Sequence, residues 1–430
     1  IPESAQPLFW QDLLGFRRIG GLSGHAEMAG KSLFLKFNTG PTGHGTPAAA
    51  GIALALKRAG AGGVRVFALE GETGLTAGGA YETMNSAWGL ALDNLFLLLD
   101  WNDFGIDDHP VSSAVYGKPA QWFEVHGWRV CGTVDGSDWA GVSQTLADLV
   151  GGDNADRLPN FGWFRTRKGR GYFKYDNASH GTPHPINSTA FWDTKRSFAN
   201  LYGVQFANFD GPAPDDPEML RAEFRANLEA VIEVLHRDEC LVDYLADRLV
   251  ELGERVPLEM PTLVVGAKRN PFEDARLVDY RSYPAELYVA PGTAAANRAA
   301  LGKWGAWVNA LGMQEYGQPL FLACSADLAG STNISGFAGS FGDFQGCGWY
   351  ERFGTANGAL LPQEITEFAN SGILAGLVTV NLAPDPAKGF LGFWGASSTY
   401  GSFSYLKYGP LRLFSQLAQD TSYRIGKVLW

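Results

Sequence analysis

Two short runs, residues 64–69 and 95–100, are apolar at almost every position and lack the polar alternation of a half-exposed strand. Such runs read as strands covered on both faces, which confines the chain to a largely parallel sheet flanked by helices. The segments beside them agree. Residues 47–60, Pro-Ala-Ala-Ala-Gly-Ile-Ala-Leu-Ala-Leu-Lys-Arg-Ala-Gly, spell a small-residue helix, with Pro47 suited to its first turn and Gly60 to its end. Residues 78–90 read as a second helix, and 125–130 and 162–166 as further strands. The order strand, helix, strand predicts a doubly wound α/β fold with mostly parallel sheets.

A charged, amphipathic stretch over 218–254 follows the linker-like Gly-Pro-Ala-Pro-Asp-Asp-Pro of 211–217, and Pro257 and Pro261 close it. From Pro291 a second α/β pattern begins: helices over 297–311, 364–374 and 411–418, and strands over 320–323, 378–382 and 426–430. The expected division is residues 1–210, a helical connector over 211–290, and residues 291–430. With 430 residues, two or three domains are expected. Lys and Arg number 34 against 45 Asp and Glu, a net charge of −11, which argues against nucleic acid or an anionic membrane as partner. No apolar run is long enough for a membrane span. Four scattered cysteines form no CxxC pair and point to reduced thiols and a cytoplasmic location.

The chemistry concentrates where the two apolar runs end. Val66-Phe67-Ala68-Leu69-Glu70-Gly71-Glu72-Thr73 puts a carboxylate, Glu72, at one strand tip, and Leu99-Asp100-Trp101-Asn102 puts an amide at the next. Ligands of open α/β sheets bind beyond the carboxyl ends of strands. A carboxylate and an amide oxygen are the hard donors that Mg²⁺ or Ca²⁺ takes, with phosphates completing the shell, and a helix starting near Thr76 would offer N–H groups to those phosphates. A dinucleotide fold fits the same outline, but its G-x-G-x-x-G fails, since Glu72-Thr73 follows Gly71. Two polar-capped strand ends are the plain structural alternative.

Gly71-Glu72-Thr73 followed by Asp100-Trp101-Asn102 resembles the thiamine diphosphate motif, Gly-Asp-Gly with an Asn about thirty residues on; here the spacing is 102 − 72 = 30. The flanks resemble the transketolase family. Residues 71–78 are similar to its GDGCLMEG, 100–107 to DDNGISID, Gly40 to Gly45 to GPLGQG, and Ser23 to Glu27 to PGHPE. Further on, 135–138 resemble DGHD, 180–183 HGAPL, 325–331 SADLAPS, and the stretch from Thr366 to Leu377 REFGMTAIANGI. The matches are collinear.

The resemblance implies two thiamine diphosphate-binding-fold domains: a diphosphate- and metal-binding one in 1–210 and an incomplete pyrimidine-binding one in 291–430. Glu72, Asn102 and the Phe104 carbonyl would hold the metal. Thr73 and His180 would touch the diphosphate, with Gly71, Gly43, His44 and Asp327 also at the cofactor, and the Thr42 backbone at the aminopyrimidine. Glu367 would bond the pyrimidine nitrogen, Phe403 stack on the ring with Tyr400 beside it, and His25 face the substrate hydroxyl. Arg298 and Ser331 would grip a sugar phosphate. The implied reaction is transfer of a two-carbon ketol unit between sugar phosphates by a homodimer with its sites between subunits. The alternatives are the homodimeric first component of a 2-oxo-acid dehydrogenase complex and a non-catalytic subunit of the same fold, with an NAD-dependent oxidoreductase more distant.

The chain also departs from the family. Glu72 stands for the usual Asp, Ala77 for a Glu that links the two cofactor sites, and Leu406 for a Tyr. Glu364 is a second acid near Glu367, and His184 a second histidine near His180. The family's first histidine motif would precede residue 1 and its GPTHQ would follow Trp430, so the chain reads as the middle of a longer enzyme. Taken singly, several residues have ordinary readings: His44 and Asp138 as helix caps, Arg298 as a solvated helix residue, Trp304 and Trp307 as core.

Overall fold

The structure is a computed structural model that describes residues 9–25, 35–38, 40–107, 109–173, 176–177, 180, 184–252, 270–421 and 423–430. Pro257, Pro261, Ala26-Glu27 and Gly181 to Pro183 lie outside the described residues. The helices are α1 (Gly45–Arg58), α2 (Glu72–Leu75), α3 (Gly78–Gly89), α4 (Pro119–Glu124), α5 (Trp139–Gly151), α6 (Thr189–Tyr202), α7 (Pro217–His236), α8 (Glu239–Leu252), α9 (Ala275–Val278), α10 (Asn297–Tyr316), α11 (Glu367–Leu377) and α12 (Tyr408–Asp420). The strands are β1 (Val66–Gly71), β2 (Leu95–Trp101), β3 (Arg129–Thr133), β4 (Asn160–Arg165), β5 (Phe321–Ser325), β6 (Trp394–Ser398) and β7 (Val428–Leu429).

The chain divides into two compact units. One comprises Ile1–Gly24, Asn102–Val115 and Thr166–Arg255; the other His25–Trp101, Tyr116–Arg165 and Val256–Trp430. Both sheets belong to the second unit. The first sheet runs β1-β2-β4-β3 and the second β5-β6-β7, and every pairing is parallel. The larger of two apolar clusters in this unit runs from Leu97 and Phe161 to Leu322 and Leu374. Helices α1 and α11 meet there through small residues. A Cβ built on Gly51 would stand 1.8 Å from the Ile373 carbonyl oxygen, and one on Gly376 would stand 1.9 Å from that of Ala48. Only glycine permits so close an approach of backbones. Polar ties reinforce it: Arg58 donates to the carbonyls of Gly358 and Asn357, and the Tyr350 hydroxyl to that of Leu90.

In the other unit α6 and α7 enclose Trp192, Ala199, Val204 and Phe206. Ser188 caps α6, Gly203 ends it in a left-handed conformation, and Asp216 caps α7 ahead of Pro217. The expected single helix over 218–254 is two, α7 and α8, because Asp238 accepts the Leu241 N–H and starts a new helix.

Three strand expectations are corrected. Of residues 125–130 only Arg129 and Val130 are strand, the start of β3; 125–128 lead into it from α4, which Pro119 opens. Val378 ends α11, and 379–382 form no strand; the strand beside β5 is β6 instead. β1 is also not covered on both faces. It is the outermost strand, and Phe67 and Leu69 are 51% and 79% exposed.

Candidate functional site

β1 and β2 are in register with Gly71 level with Asp100, so Glu72 follows β1 at the end of the sheet where Trp101 closes β2. Glu72 begins the single turn α2 and is 1% exposed, a carboxylate taken almost wholly out of water. Beside it, a methyl group on Gly71 would meet no atom within 4 Å. A buried hard oxygen donor bordering free volume fits a divalent cation and its phosphate ligands. Among the described residues, no group of three or more His, Cys, Asp or Glu could hold a metal. The expected set contains one carboxylate, an amide and a carbonyl, so it is not a group of that kind.

Glu70, inside β1, has a role that the sequence reading did not give it. Its Oε2 accepts the Gly43 N–H at 3.3 Å and its Oε1 the Gly71 N–H at 3.2 Å. Burial pushes its carboxyl above the ordinary range, and those two N–H groups oppose the shift. Glu70 therefore pins the Thr42-Gly43 loop to the β1 tip. Gly43 has φ +78°, and a Cβ there would lie 2.9 Å from the Gly74 carbonyl oxygen and 3.2 Å from Ala77 Cβ. Its signal was a lone acid in an apolar strand.

His25 is exposed, and its ring lies against Gly40, 3.4 Å from where a Cβ would stand. His44 is the N-cap residue of α1, but its side chain makes no capping bond. Its Nδ1 is 3.1 Å from the Thr42 carbonyl oxygen and its ring meets Phe368 edge-on at 4.8 Å. Asn102 Oδ1 accepts the Phe104 N–H at 3.0 Å, which fixes that amide on the backbone of the residue expected to ligate beside it. His180 is exposed, whereas His184 is buried, with its Nε2 3.1 Å from the Tyr172 carbonyl oxygen.

Glu367 opens α11 at 5% exposure, and its Oε1 accepts the Thr399 hydroxyl at 3.0 Å. Glu364, three residues before the helix, is exposed. Glu82 on α3 accepts the Ala369 N–H at 2.8 Å. Its carboxyl is raised chiefly by burial, with the Glu367 charge adding to the rise. Tyr400 follows Thr399 directly and Phe403 three residues later, their rings 6.5 Å apart and 21° from parallel, both partly open to solvent. Asp327 is exposed in a left-handed conformation at φ +57°, its N–H on the Gln363 carbonyl. Ser331 is exposed and donates to the Leu328 carbonyl, and Arg298 is exposed in the first turn of α10.

The family profile described as transketolase, thiamine diphosphate binding domain, matches residues 8–199. Over those residues the chain resembles the transketolase family. Human transketolase is 32% identical over 184 residues, 41% of this chain and 27% of its own length, and that of Streptococcus pyogenes serotype M6 is 30% identical over 192 residues, 42% of this chain and 26% of its own. The fold is likewise shared with transketolase from Leishmania mexicana at a TM-score of 0.61 and 22% identity, over 94% of this chain and 54% of that one. Campylobacter jejuni transketolase also gives 0.61, at 20% identity, over 97% and 56%. The chain thus spans little more than half the length of these solved relatives, and its matches to the curated ones cover about a quarter of theirs.

Proposed function

We propose that the protein is a thiamine diphosphate-dependent transketolase, transferring a two-carbon ketol unit between sugar phosphates as a cytoplasmic homodimer with its sites between subunits. The observation that carries this reading is Glu367: a carboxylate at the head of a buried helix, oriented by Thr399, at the position the family motif assigns to the pyrimidine nitrogen. When bound, the cofactor supplies an acidic ring carbon and an electron sink.

The chain's own residues do the rest. Glu72, the Asn102 amide and the Phe104 carbonyl would hold Mg²⁺ or Ca²⁺, and Thr73 N–H and His180 the diphosphate. Glu367 would hydrogen-bond the pyrimidine nitrogen from a low-dielectric pocket, where such a bond is strong. Gly71, Thr42, Gly43, His44 and Asp327 would line the cofactor, and Phe403 and Tyr400 would offer it an aromatic face. His25 would orient the substrate hydroxyl, and Arg298 and Ser331 its phosphate. The division into a diphosphate-binding part over 1–210, a connector over 211–290 and a pyrimidine-binding part over 291–430 belongs to the same proposal.

Titration calorimetry of the full-length protein with thiamine diphosphate and Mg²⁺ tests it. Binding is expected, and Glu72→Ala should abolish it; equal binding by the variant overturns the metal assignment. Turnover of xylulose 5-phosphate supports the ketol transfer. Turnover of pyruvate alone favours the dehydrogenase-component alternative, and binding without turnover the non-catalytic one.

A further inference from the structure

β6 closes on three hydroxyls in a row, and each ties the strand to a different neighbour. Ser397 Oγ accepts the Lys407 ammonium at 2.7 Å, and the Thr399 hydroxyl, one residue past the strand, donates to Glu367 Oε1. Ser398, between them, points to the opposite side of the strand, where Ser325 of β5 stands level with it. There its Oγ meets Ser325 Oγ at 3.2 Å and Thr332 Oγ1 at 2.7 Å.

The protons of this group can be assigned, because a hydroxyl has one to give and two lone pairs that accept. Ser325 gives its proton to the Ser398 carbonyl at 2.9 Å, and Thr332 gives its own to the Leu328 carbonyl at 2.7 Å. The contact between Ser398 and Thr332 is therefore donated by Ser398, which keeps the Thr332 proton on Leu328.

The Leu328 carbonyl is oversubscribed. It accepts the Thr332 N–H at 3.0 Å, the Thr332 hydroxyl at 2.7 Å and the Ser331 hydroxyl at 3.2 Å. A carbonyl oxygen has two lone pairs, and the two shorter bonds fill them. The exposed Ser331 hydroxyl holds the longest of the three and can turn to another acceptor without stranding the carbonyl. The same stretch is fixed against α10. A Cβ on Gly302 would stand 2.7 Å from the Asn333 carbonyl oxygen, and Arg298 lies one helical turn before Gly302. A free hydroxyl and a guanidinium suit the oxygens of a phosphate.

We propose that Thr332 is a positioning residue for the substrate's phosphate: its hydroxyl, aimed by Ser398, satisfies the Leu328 carbonyl and releases the Ser331 hydroxyl to the anion. The chain of hydroxyls is a property of the fold; its use on a sugar phosphate rests on the transketolase reading given above.

The test uses the full-length protein loaded with thiamine diphosphate and Mg²⁺. Thr332→Val keeps the shape and removes the hydroxyl, so Leu328 reclaims Ser331. KM for xylulose 5-phosphate should rise about tenfold, the worth of one hydrogen bond to a charged group, with kcat near the parent. kcat/KM for erythrulose, a ketol without phosphate, should not change. Thr332→Ser, which keeps the hydroxyl, should restore the parent KM, and Ser398→Ala should move KM in the same direction as Thr332→Val. The deciding comparison is a cycle with Ser331→Ala: because Thr332 acts through Ser331, the double variant should be no worse than Ser331→Ala alone. An additive cycle, or an equal loss on both ketols, overturns the proposal. If Thr332→Val does not fold, Ser398→Ala takes its place in the cycle. If the parent turns over neither ketol, the transketolase reading falls instead, and hydrogen exchange over residues 328–333 decides the chain of hydroxyls. The Thr332 amide should then exchange at least about fivefold faster in Ser398→Ala, and unchanged exchange overturns it.

Discussion

The packing of α1 on α11 makes a sharp claim about one glycine. A Cβ at Gly51 would stand 1.8 Å from the Ile373 carbonyl oxygen, where real Cβ contacts essentially never fall below 3.0 Å, so the two backbones must part by at least the missing 1.2 Å. Gly51→Ala gains about 1 kcal/mol of helix propensity. Against that stands overpacking of a filled core, about 1–3 kcal/mol and more where only backbone can yield. Here the obstacle is backbone, and the facing approach of Gly376 to the Ala48 carbonyl, also too close for any Cβ, is lost with it. The cost therefore stands at the upper end of that range, and a net destabilisation of about 2 kcal/mol is expected. The consequence reaches the site, because α1 follows the Thr42–His44 loop and α11 starts at Glu367. The control is Gly89→Ala at the end of α3, where an added Cβ meets nothing within 4 Å. Urea midpoints and thiamine diphosphate affinity of parent, Gly51→Ala and Gly89→Ala provide the assay. Gly89→Ala should match or exceed the parent, and Gly51→Ala should fall on both measures. A Gly51→Ala protein as stable and as tight-binding as Gly89→Ala refutes the close-approach reasoning.

Other consequences are simpler to check. Asn309, fully buried, donates to the carbonyls of Phe321 and Phe337 and accepts the Phe321 N–H; Asn309→Ala strands three backbone groups and should cost about 2–4 kcal/mol in urea unfolding. Asp274 is held below its usual value of 3.8 chiefly by its hydrogen bond from Arg276, with the Tyr316 hydroxyl assisting. Its stabilisation is therefore complete above that value and lost as pH falls through the lower folded one. Asp274→Asn should flatten the acid limb of stability measured from pH 6 downward, and parallel limbs would contradict this. Cys324 is fully enclosed, with burial pushing its thiol up to about 11, whereas Cys240 is exposed. Iodoacetamide followed by mass spectrometry should label Cys240 in the native protein and Cys324 only after unfolding.

The parts of the fold legible in the sequence are those whose burial is one-dimensional. β2 is enclosed, and an unbroken apolar run says so. α1 is buried from Thr46 to Leu56, and its alanines and glycine announce a helix pressed against something. β6 was illegible for the complementary reason. Trp394-Gly-Ala-Ser-Ser has little strand propensity, yet Gly395 lies where a Cβ would stand 3.1 Å from that of Leu374, so α11 can rest on the sheet only if the strand beneath it is made of small residues. Val378 to Leu382 carries the propensity without the place, because α11 is still ending there. The site divides along the same line. Glu72 and Glu367 stand in motifs and at element ends, where a carboxylate has a recognisable reason to be. Glu70, Glu82 and Lys407 act through what they meet in space: the Gly43 loop, the first turn of α11, a serine on the neighbouring strand. No spacing in the chain records those meetings. Motifs expose the groups that would touch a ligand, and the groups that hold the surrounding loops and helix ends in place come from elsewhere in the chain, so two sequences whose motifs agree can still frame the same carboxylate differently.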